Sequence, residues 1–452
     1  MFSRLIHAAT YCIGVFWSVG AFSQAADTPS LALHEVLERA LVHSAQVRKA
    51  RWEREATALR ISEQRRSGWL PQAQLSASAD YVPALPTTFL PATLFGGAEG
   101  AYTAATLGQP WQVFASVRVE QPLFDESARR LTTAATWVTA LQDLLVQQSE
   151  EEVIFQTTNL FYQVLQTKAL LKALDAHQRQ LEALERTVRV QVSGGSAVPT
   201  DVQRVQVALA GLQARRQELE SGIEALLQGI QFVCGIPFSQ PIALVETRRD
   251  TVQWMAMPAV AADQTTTYRL LDGRLSLLRT QERSARAQGW PKLGLYAQAG
   301  ILSQRTDARF AASEGRWYPL GLIGLRLDWP LLNGYRHRQQ VSALRLEARK
   351  SEEEREYFTQ LRQLEQLQAR SQWENARRTL YVREQGVELA RKLVGQTQLI
   401  FQENKASLSD LLAAQTALAE AETQYEQQVF TCRLAEVKWL KAAGQLRTLL
   451  DK

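Results

Sequence analysis

Hydrophobic positions along the chain follow two alternating periods. In residues 125–193 the later apolar positions are Leu170, Leu174, Leu181, Leu184 and Val188, with His177 filling the slot between Leu174 and Leu181. The steps alternate between four and three, the rhythm of a coiled coil. This run holds neither Pro nor Gly. As one helix it would be roughly 100 Å long at about 1.5 Å per residue. No compact domain contains a helix of that length, so it must span a gap or line a tube. A second Pro-free run covers residues 333–403, with Leu380, Val387, Ala390, Val394 and Phe401 on one face.

Period-two alternation precedes each long run. Leu75, Ala77, Ala79 and Tyr81 alternate with Gln74, Ser76, Ser78 and Asp80, which predicts a strand over about 71–82. Val113, Ala115, Val117 and Val119 alternate with Gln112, Ser116, Arg118 and Glu120, a strand over about 111–122. The stretch between them, 82–110, is rich in Pro, Gly and Thr and reads as a loop, with Phe89, Leu90, Leu94 and Phe95 apolar enough to pack or to touch lipid headgroups. Farther on, Leu293, Leu295, Ala297, Ala299 and Ile301 predict a strand over about 291–302. Ile323, Leu325, Leu327 and Trp329, set against Gly324, Arg326 and Asp328, predict another over about 319–330.

Helical patterns fill the rest. An amphipathic helix capped by Thr28 or Ser30 carries Leu31, Val36, Leu37, Ala40 and Leu41, and the pattern continues to Arg66. After the turn Gly194-Gly195-Ser196-Ala197, a helix over 199–233 opens with Pro199, which suits a first helical turn, and stops at Cys234-Gly235-Ile236-Pro237. A mixed segment, 239–263, links to a second half that repeats the plan: helix, hairpin, long helix, a turn at Asn404-Lys405-Ala406, and a last helix over 409–449. The halves register residue on residue. Pro71-Gln72-Ala73-Gln74-Leu75 lies under Pro291-Lys292-Leu293-Gly294-Leu295, and Thr200-Asp201-Val202 under Ser409-Asp410-Leu411. Residues 26–238 and 264–452 therefore read as two copies of one unit.

Composition and charge narrow the function. Leu, Ala, Gln, Glu and Arg dominate the 452 residues, and the net charge of +5 comes from interspersed acids and bases. With no Lys/Arg cluster, no nucleic-acid partner is assigned. Residues 1–25 read as a secretory signal: Arg4, an apolar run over 8–22, then Ser23-Gln24-Ala25 before a cut. Beyond it no run approaches the ~18–20 apolar residues of a membrane helix, so a membrane crossing must use strands. Cys234 and Cys432 then remain, either as two buried thiols on helices or as a pair. His34, His43, His177 and His337 show no metal-ligand spacing, and no catalytic motif is present. No metal, cofactor or enzymatic residue is assigned.

Each predicted strand is close to the ~9–11 residues that cross an outer membrane, with one apolar and one polar face. Four strands cannot close a barrel, and open edges in lipid leave amides without partners. The chain must therefore oligomerise: two copies supply eight strands and three supply twelve. Arg118, Glu120, Arg326 and Asp328 would then face water.

The junction motifs Gln121-Pro122-Leu123-Phe124-Asp125 and Trp329-Pro330-Leu331-Leu332-Asn333, the turn motifs through Asp201 and Asp410, and Cys234-Gly235-Ile236-Pro237 resemble those of the TolC family of bacterial outer-membrane efflux and secretion channels. The resemblance covers nearly all of the chain after residue 25. It implies a mainly α fold with β: a homotrimer whose twelve-stranded outer-membrane barrel, four strands per protomer, continues into a long periplasmic α-helical barrel. It also implies an exit duct docked on a periplasmic adaptor protein and an inner-membrane pump of ABC, RND or MFS type in a Gram-negative cell. Asp410 matches the family's pore-mouth acid, with Asp201 and Thr200 as counterparts in the first half; where some members carry a second Asp, this chain has Ala413. A ring of Asp favours cations, although a carboxylate at a helix start also suits the helix dipole. The turns Gly194, Gly195 and Ser196 and Lys405, Ala406, Ser407, Leu408 and Ser409 are the implied adaptor contacts, and Pro122 and Pro330 mark the strand-to-helix junctions. The rival reading is a periplasmic coiled-coil adaptor or scaffold without a pore.

The exported protein is expected to begin at Ala26. N-terminal sequencing of the secreted form checks this, and a mature chain that keeps residues 1–25 removes the signal assignment.

Overall fold

Two helices dominate: α3, Glu126–Ser193, and α6, Arg336–Gln402, of 68 and 67 residues. A computed structural model describes residues 30–450 except 68, 97, 246–264, 309, 311–315, 333 and 404. The signal segment 1–25, the Thr28 cap, Asn333, Asn404 and most of the 239–263 linker lie outside the described residues. The remaining elements are β1 Ser30–Leu31, α1 Leu33–His43, α2 Ala45–Ser67, β2 Gln72–Tyr81, β3 Thr87–Pro91, β4 Tyr102–Thr106, β5 Trp111–Phe124, α4 Pro199–Cys234, β6 Ala243–Leu244, α5 Thr266–Ala287, β7 Lys292–Arg305, β8 Tyr318–Asp328 and α7 Leu408–Ala443.

The main sheet has the order β2-β5-β7-β8, every pairing antiparallel. Its register aligns the alternating faces across all four strands. Ala73, Val119, Ala297 and Ile323 form one apolar row, and Leu75, Val117 and Ala299 another. On the opposite face Gln74, Arg118 and Gln298 share a row. β2 and β8 are the edges, each with one neighbour in the sheet. Every residue of β2 is exposed.

The main core lies midway along the helices. Val153, Ile154, Phe161 and Val164 of α3 meet Val36, Leu37 and Ala40 of α1, Ile230 and Cys234 of α4, and Phe430, Val437 and Leu440 of α7. β1 and β6 pair in parallel here, placing buried Leu31 opposite buried Leu244. A second core closes the far end of the helices, where Leu181, Leu184 and Val188 of α3 pack on Val205, Leu408 and Leu411. Cys234 and Cys432 are both buried and both free.

Several expectations need correction. Ser30 does not cap α1: it is held in β1, and the helix starts at Leu33, where the Glu35 carboxylate accepts the Ala32 N–H at 3.0 Å. Burial of Leu31 in the strand pair overrides the cap preference of a serine. The 82–110 segment is not all loop, because β3 and β4 form a hairpin with Phe89 opposite Ala104 and a 3₁₀ turn at Ala92–Phe95. Its β-branched and aromatic residues favour strands. The last helix ends at Ala443 rather than 449. Gly444 takes a left-handed backbone (φ 71°) and stops it, and a 3₁₀ turn at Leu446–Leu449 folds Leu446 and Leu449 into the main core. α6 begins at Arg336 rather than 333, because Gly334 and Tyr335 are both left-handed, with φ 61° and 62°. For Tyr335 that conformation costs roughly 1–2 kcal/mol.

Phe161 is fully buried, with its ring edge-on to Tyr162 at 5.8 Å. Phe161→Ala is expected to cost about 3–5 kcal/mol, read as a lower midpoint for loss of the helical circular-dichroism signal. An unchanged midpoint would show that this core does not hold the helices together.

Candidate functional site

The two turns at the far end of the helices bring together residues far apart in sequence. In the first, Gly195 is left-handed (φ 75°), and the Ser196 N–H donates to Gln191 O at 2.8 Å, which closes α3. α4 then opens at Pro199, whose missing N–H costs nothing in a first turn. Val198 precedes it and has no side-chain oxygen to act as a cap. Asp201 does part of that work by accepting the Val198 N–H at 3.4 Å. Thr200 is exposed beside it.

The second turn is capped more fully. Ser407, Leu408, Ser409 and Asp410 form a reciprocal box at the start of α7. The Asp410 N–H donates to Ser407 Oγ at 3.2 Å, and the Ser407 N–H donates to Asp410 Oδ2 at 3.1 Å. Ser407 Oγ also donates to Asp410 Oδ2 at 2.7 Å. These bonds from Ser407 hold the exposed Asp410 carboxyl below the usual range, so it stays ionised at neutral pH. The carboxylate half of the box is therefore at full strength above the ordinary carboxylate range and weakens as acid protonates Asp410, while the bond from the Asp410 N–H to Ser407 Oγ does not need the charge.

The two acids differ in their neighbours. Arg204 Nη1 lies 3.3 Å from Asp201 Oδ1, which balances its charge, and also donates to Ser409 Oγ at 3.3 Å. Arg204 thus ties the first turn to the second across 205 residues of sequence. Lys405 pairs with Glu403 at 2.9 Å. Among the described residues, Asp410 has the Ser407 hydroxyl and N–H as partners and no ion pair.

Gly194, Gly195, Ser196, Lys405, Ser407 and Ser409 are exposed, and Ala406 is half-buried. Leu408 needs correction as a surface contact. It is buried against the α3–α4 seam, because the first apolar position of α7 faces that side, and it anchors the turn. At the strand-to-helix junctions, Pro122 faces Gly294, with a register irregularity between Pro122 and Phe124. Asp125 caps α3 through the Ala128 N–H at 3.1 Å and meets Lys292 Nζ at 2.8 Å, pinning β7 to the start of the helix. Pro330 follows β8, where the ladder ends at Asp328 opposite Lys292.

The Ser-x-x-Asp box was open to sequence reasoning as a capping signature. The Arg204–Ser409 and Asp125–Lys292 contacts were not, since each joins distant segments. Among the described residues, no group of three or more His, Cys, Asp or Glu is placed to hold a metal, and no helix is long and apolar enough to cross a membrane.

No family model matches the chain. It is 27% identical over 323 residues to the outer membrane protein TolC of Escherichia coli K12, a match spanning 69% of this chain and 58% of that protein. To the outer membrane protein TolC of Salmonella enteritidis it is 25% identical over 335 residues, spanning 72% of this chain and 63% of that one. The matched stretch thus falls short of two thirds of either relative. Among solved structures, the outer membrane protein VceC of Vibrio cholerae superposes with a TM-score of 0.73 at 15% identity, covering 91% of this chain and 96% of that one. The CmeC outer membrane channel of Campylobacter jejuni gives 0.72 at 15% identity, covering 98% and 94%. The open state of the MtrE outer membrane channel of Neisseria gonorrhoeae gives 0.70 at 14%, covering 92% and 89%. The fold is that of these channels: mainly helical, with a small sheet.

Ser407→Ala is expected to cost about 1 kcal/mol at the start of α7 and to speed amide exchange at Asp410 and Leu411 selectively. Unchanged exchange at those two positions would show that the box does not fix the helix start.

Proposed function

We propose, from its likeness to the TolC proteins, that the chain is an outer-membrane exit duct of a Gram-negative cell. In this reading it passes cargo from an inner-membrane pump of ABC, RND or MFS type, through a periplasmic adaptor, to the outside. The observation that carries the proposal is the sheet. Four antiparallel strands share one apolar face, β2 and β8 each pair on one side only among the described residues, and β5 runs directly into α3, a helix about 100 Å long. In lipid such edges are untenable, and known barrels start at eight strands. Three copies closing twelve strands, edge β8 of one on edge β2 of the next, satisfy both limits. The helices support the same assembly: Leu346, Leu364, Leu367, Leu389 and Leu399 of α6 and Trp52 and Leu59 of α2 are exposed in the single protomer and call for neighbours. A soluble adaptor or scaffold has no use for the two-faced sheet, which disfavours that reading.

The helices then form the periplasmic tunnel, and its mouth lies at the turns. Asp410 is the gate acid, since among the described residues no ion pair offsets its charge, and Asp201 with Thr200 is a secondary lining. The exposed turn residues Gly194, Gly195, Ser196, Lys405, Ser407 and Ser409, with Ala406, form the surface offered to the adaptor.

The experiment is conductance of the purified protein in planar bilayers. Wild type is expected to form cation-preferring channels of low open probability. Asp410→Asn keeps an oxygen for the Ser407 N–H but removes the charge, and is expected to raise conductance and lower cation preference; Asp201→Asn, whose charge Arg204 already balances, is expected to do so less. A water-soluble, non-conducting monomer sinks the duct. Asp410→Asn channels with wild-type selectivity sink the gate assignment.

A further inference from the structure

All four strand-to-helix junctions lie at one end of the sheet, since Gln72 pairs with Glu120, Leu293 with Phe124 and Lys292 with Asp328. The helices that meet there are basic. Over about three turns next to the sheet, Arg outnumbers Asp and Glu on each of α2, α3, α5 and α6. The excess is dispersed in sequence, and the fold gathers it at one level. Over the same length at the turn end of the helices, Glu185, Asp201 and Asp410 nearly offset the basic side chains.

The excess is densest where α5 ends and α6 begins. These ends approach closely: a Cβ at Gly289 would come within 3.3 Å of His337 Nε2. Glu282 is the acid in these turns of α5, and Arg286 and Arg345 share it at 2.6 and 3.2 Å. Among the described residues Arg283 and Arg336 have no acidic partner. Arg338 lies over the Tyr335 ring at 5.7 Å and has no acidic partner there either. All three arginines are exposed. At the sheet end Lys292 is paired with Asp125, and Arg326 matches the charge of Asp328, so the strands do not cancel the excess.

Two physical points direct this charge outside the chain. Arginine in the first turn of a helix opposes the macrodipole, which favours acids there, yet the first turn of α6 holds Arg336 and Arg338 and no acid. A second copy of the chain brings the same excess at the same level, so assembly concentrates the charge instead of neutralising it. The neighbouring side chains select the partner. Trp290, Trp329 and Tyr335 are exposed beside the arginines, and Trp329 continues the apolar row of Leu325 and Leu327. Aromatic rings and arginines at the edge of an apolar face suit a boundary between acyl chains and water.

We infer that these junctions form a collar that binds the phosphate headgroups of anionic phospholipids, centred on Arg283, Arg336 and Arg338, with Trp290 and Trp329 at the acyl boundary. Its placement in the leaflet on the helical side rests on the duct reading above; the charge and its position do not.

The test titrates phosphatidylglycerol into the full chain held in neutral detergent, with phosphatidylcholine and inorganic phosphate as the other arms, and reads the thermal unfolding midpoint. Phosphatidylglycerol is expected to raise the midpoint saturably, with the rise shrinking in about 0.5 M NaCl, and the other two are not. The double variant Arg336→Gln/Arg338→Gln should need about fivefold more phosphatidylglycerol for each arginine removed. In detergent alone it should unfold no earlier than wild type, because the conflict with the dipole is gone. Arg186→Gln, at an exposed position near the turns, should behave as wild type. Equal stabilisation by phosphatidylcholine, stabilisation by phosphate alone, a comparable loss in Arg186→Gln, or wild-type lipid dependence in the double variant overturns the collar. Earlier unfolding of the double variant in detergent alone also overturns it, since the arginines would then be holding the helix. Bilayer conductance of the same preparations separates the two ideas. A protein that conducts but shows no preference for phosphatidylglycerol fails the collar and leaves the duct; one that prefers phosphatidylglycerol through Arg336 and Arg338 but never conducts keeps the collar and fails the duct.

Discussion

Everything in this fold answers to the backbone amides along the outer edges of β2 and β8. A two-faced sheet of four strands can bury its apolar rows only against something apolar, and in lipid its edge amides find no water. The sheet cannot satisfy itself, because the right-handed twist of a four-stranded sheet does not bring its own edges together. The helices cannot cover it either, since they leave it end-on: α3 departs directly from β5, with Asp125 both capping the helix and bonded to Lys292 of β7. That ion pair ties strand to helix, so any neighbour that completed the sheet would also set the direction of the helices.

Long helices create a second demand. In a protein most of a helix's stability comes from tertiary packing of one face rather than from its own hydrogen bonds. α3 is packed at two places, the midsection core and the turn core, and is loosely filled between them. At the midsection, Arg362 and Gln366 of α6 donate to the carbonyls of Lys441 and Ala442 at the end of α7. Lys441 in turn lies over the Phe155 ring and bonds Glu152 at 2.9 Å, holding that carboxyl below its usual range. Both ion-pair partners are more than a third exposed, so the contact orients the chain ends more than it stabilises them. The apolar residues around Phe161 carry the energy, and the chain tail returns through Leu446 and Leu449 to join them.

Much of this was readable from periodicity. The four strands stand out because one face of each is apolar and the other wet, so the alternation survives in the sequence. The long helices stand out because Pro is absent and the seam repeats. What escaped were contacts that no local pattern encodes. Two residues, Ser30 and Leu31, pair with Ala243 and Leu244 across more than two hundred positions. Leu446 and Leu449 keep a helical spacing, so the sequence reads straight through Gly444, although the backbone turns there. Leu408 looked like a surface residue because it sits in a turn motif; burial on the α3–α4 seam could be inferred only after the two hairpins were placed side by side.

The turn acids show why a capping role and an electrostatic role need not compete. A carboxylate that merely suits a helix start is free to swing and to pick up a proton as conditions change. Asp410 is fixed by the Ser407 N–H and hydroxyl, and those same bonds favour its ionised form. The cap therefore supplies what the proposed gate would require, a carboxylate of settled position that stays negative at neutral pH. Asp201 accepts a similar backbone bond, but Arg204 beside it takes back the charge and spends its second contact on Ser409. Near-symmetric turns are thus electrostatically unequal, and the inequality comes from one arginine on α4 that reaches both of them.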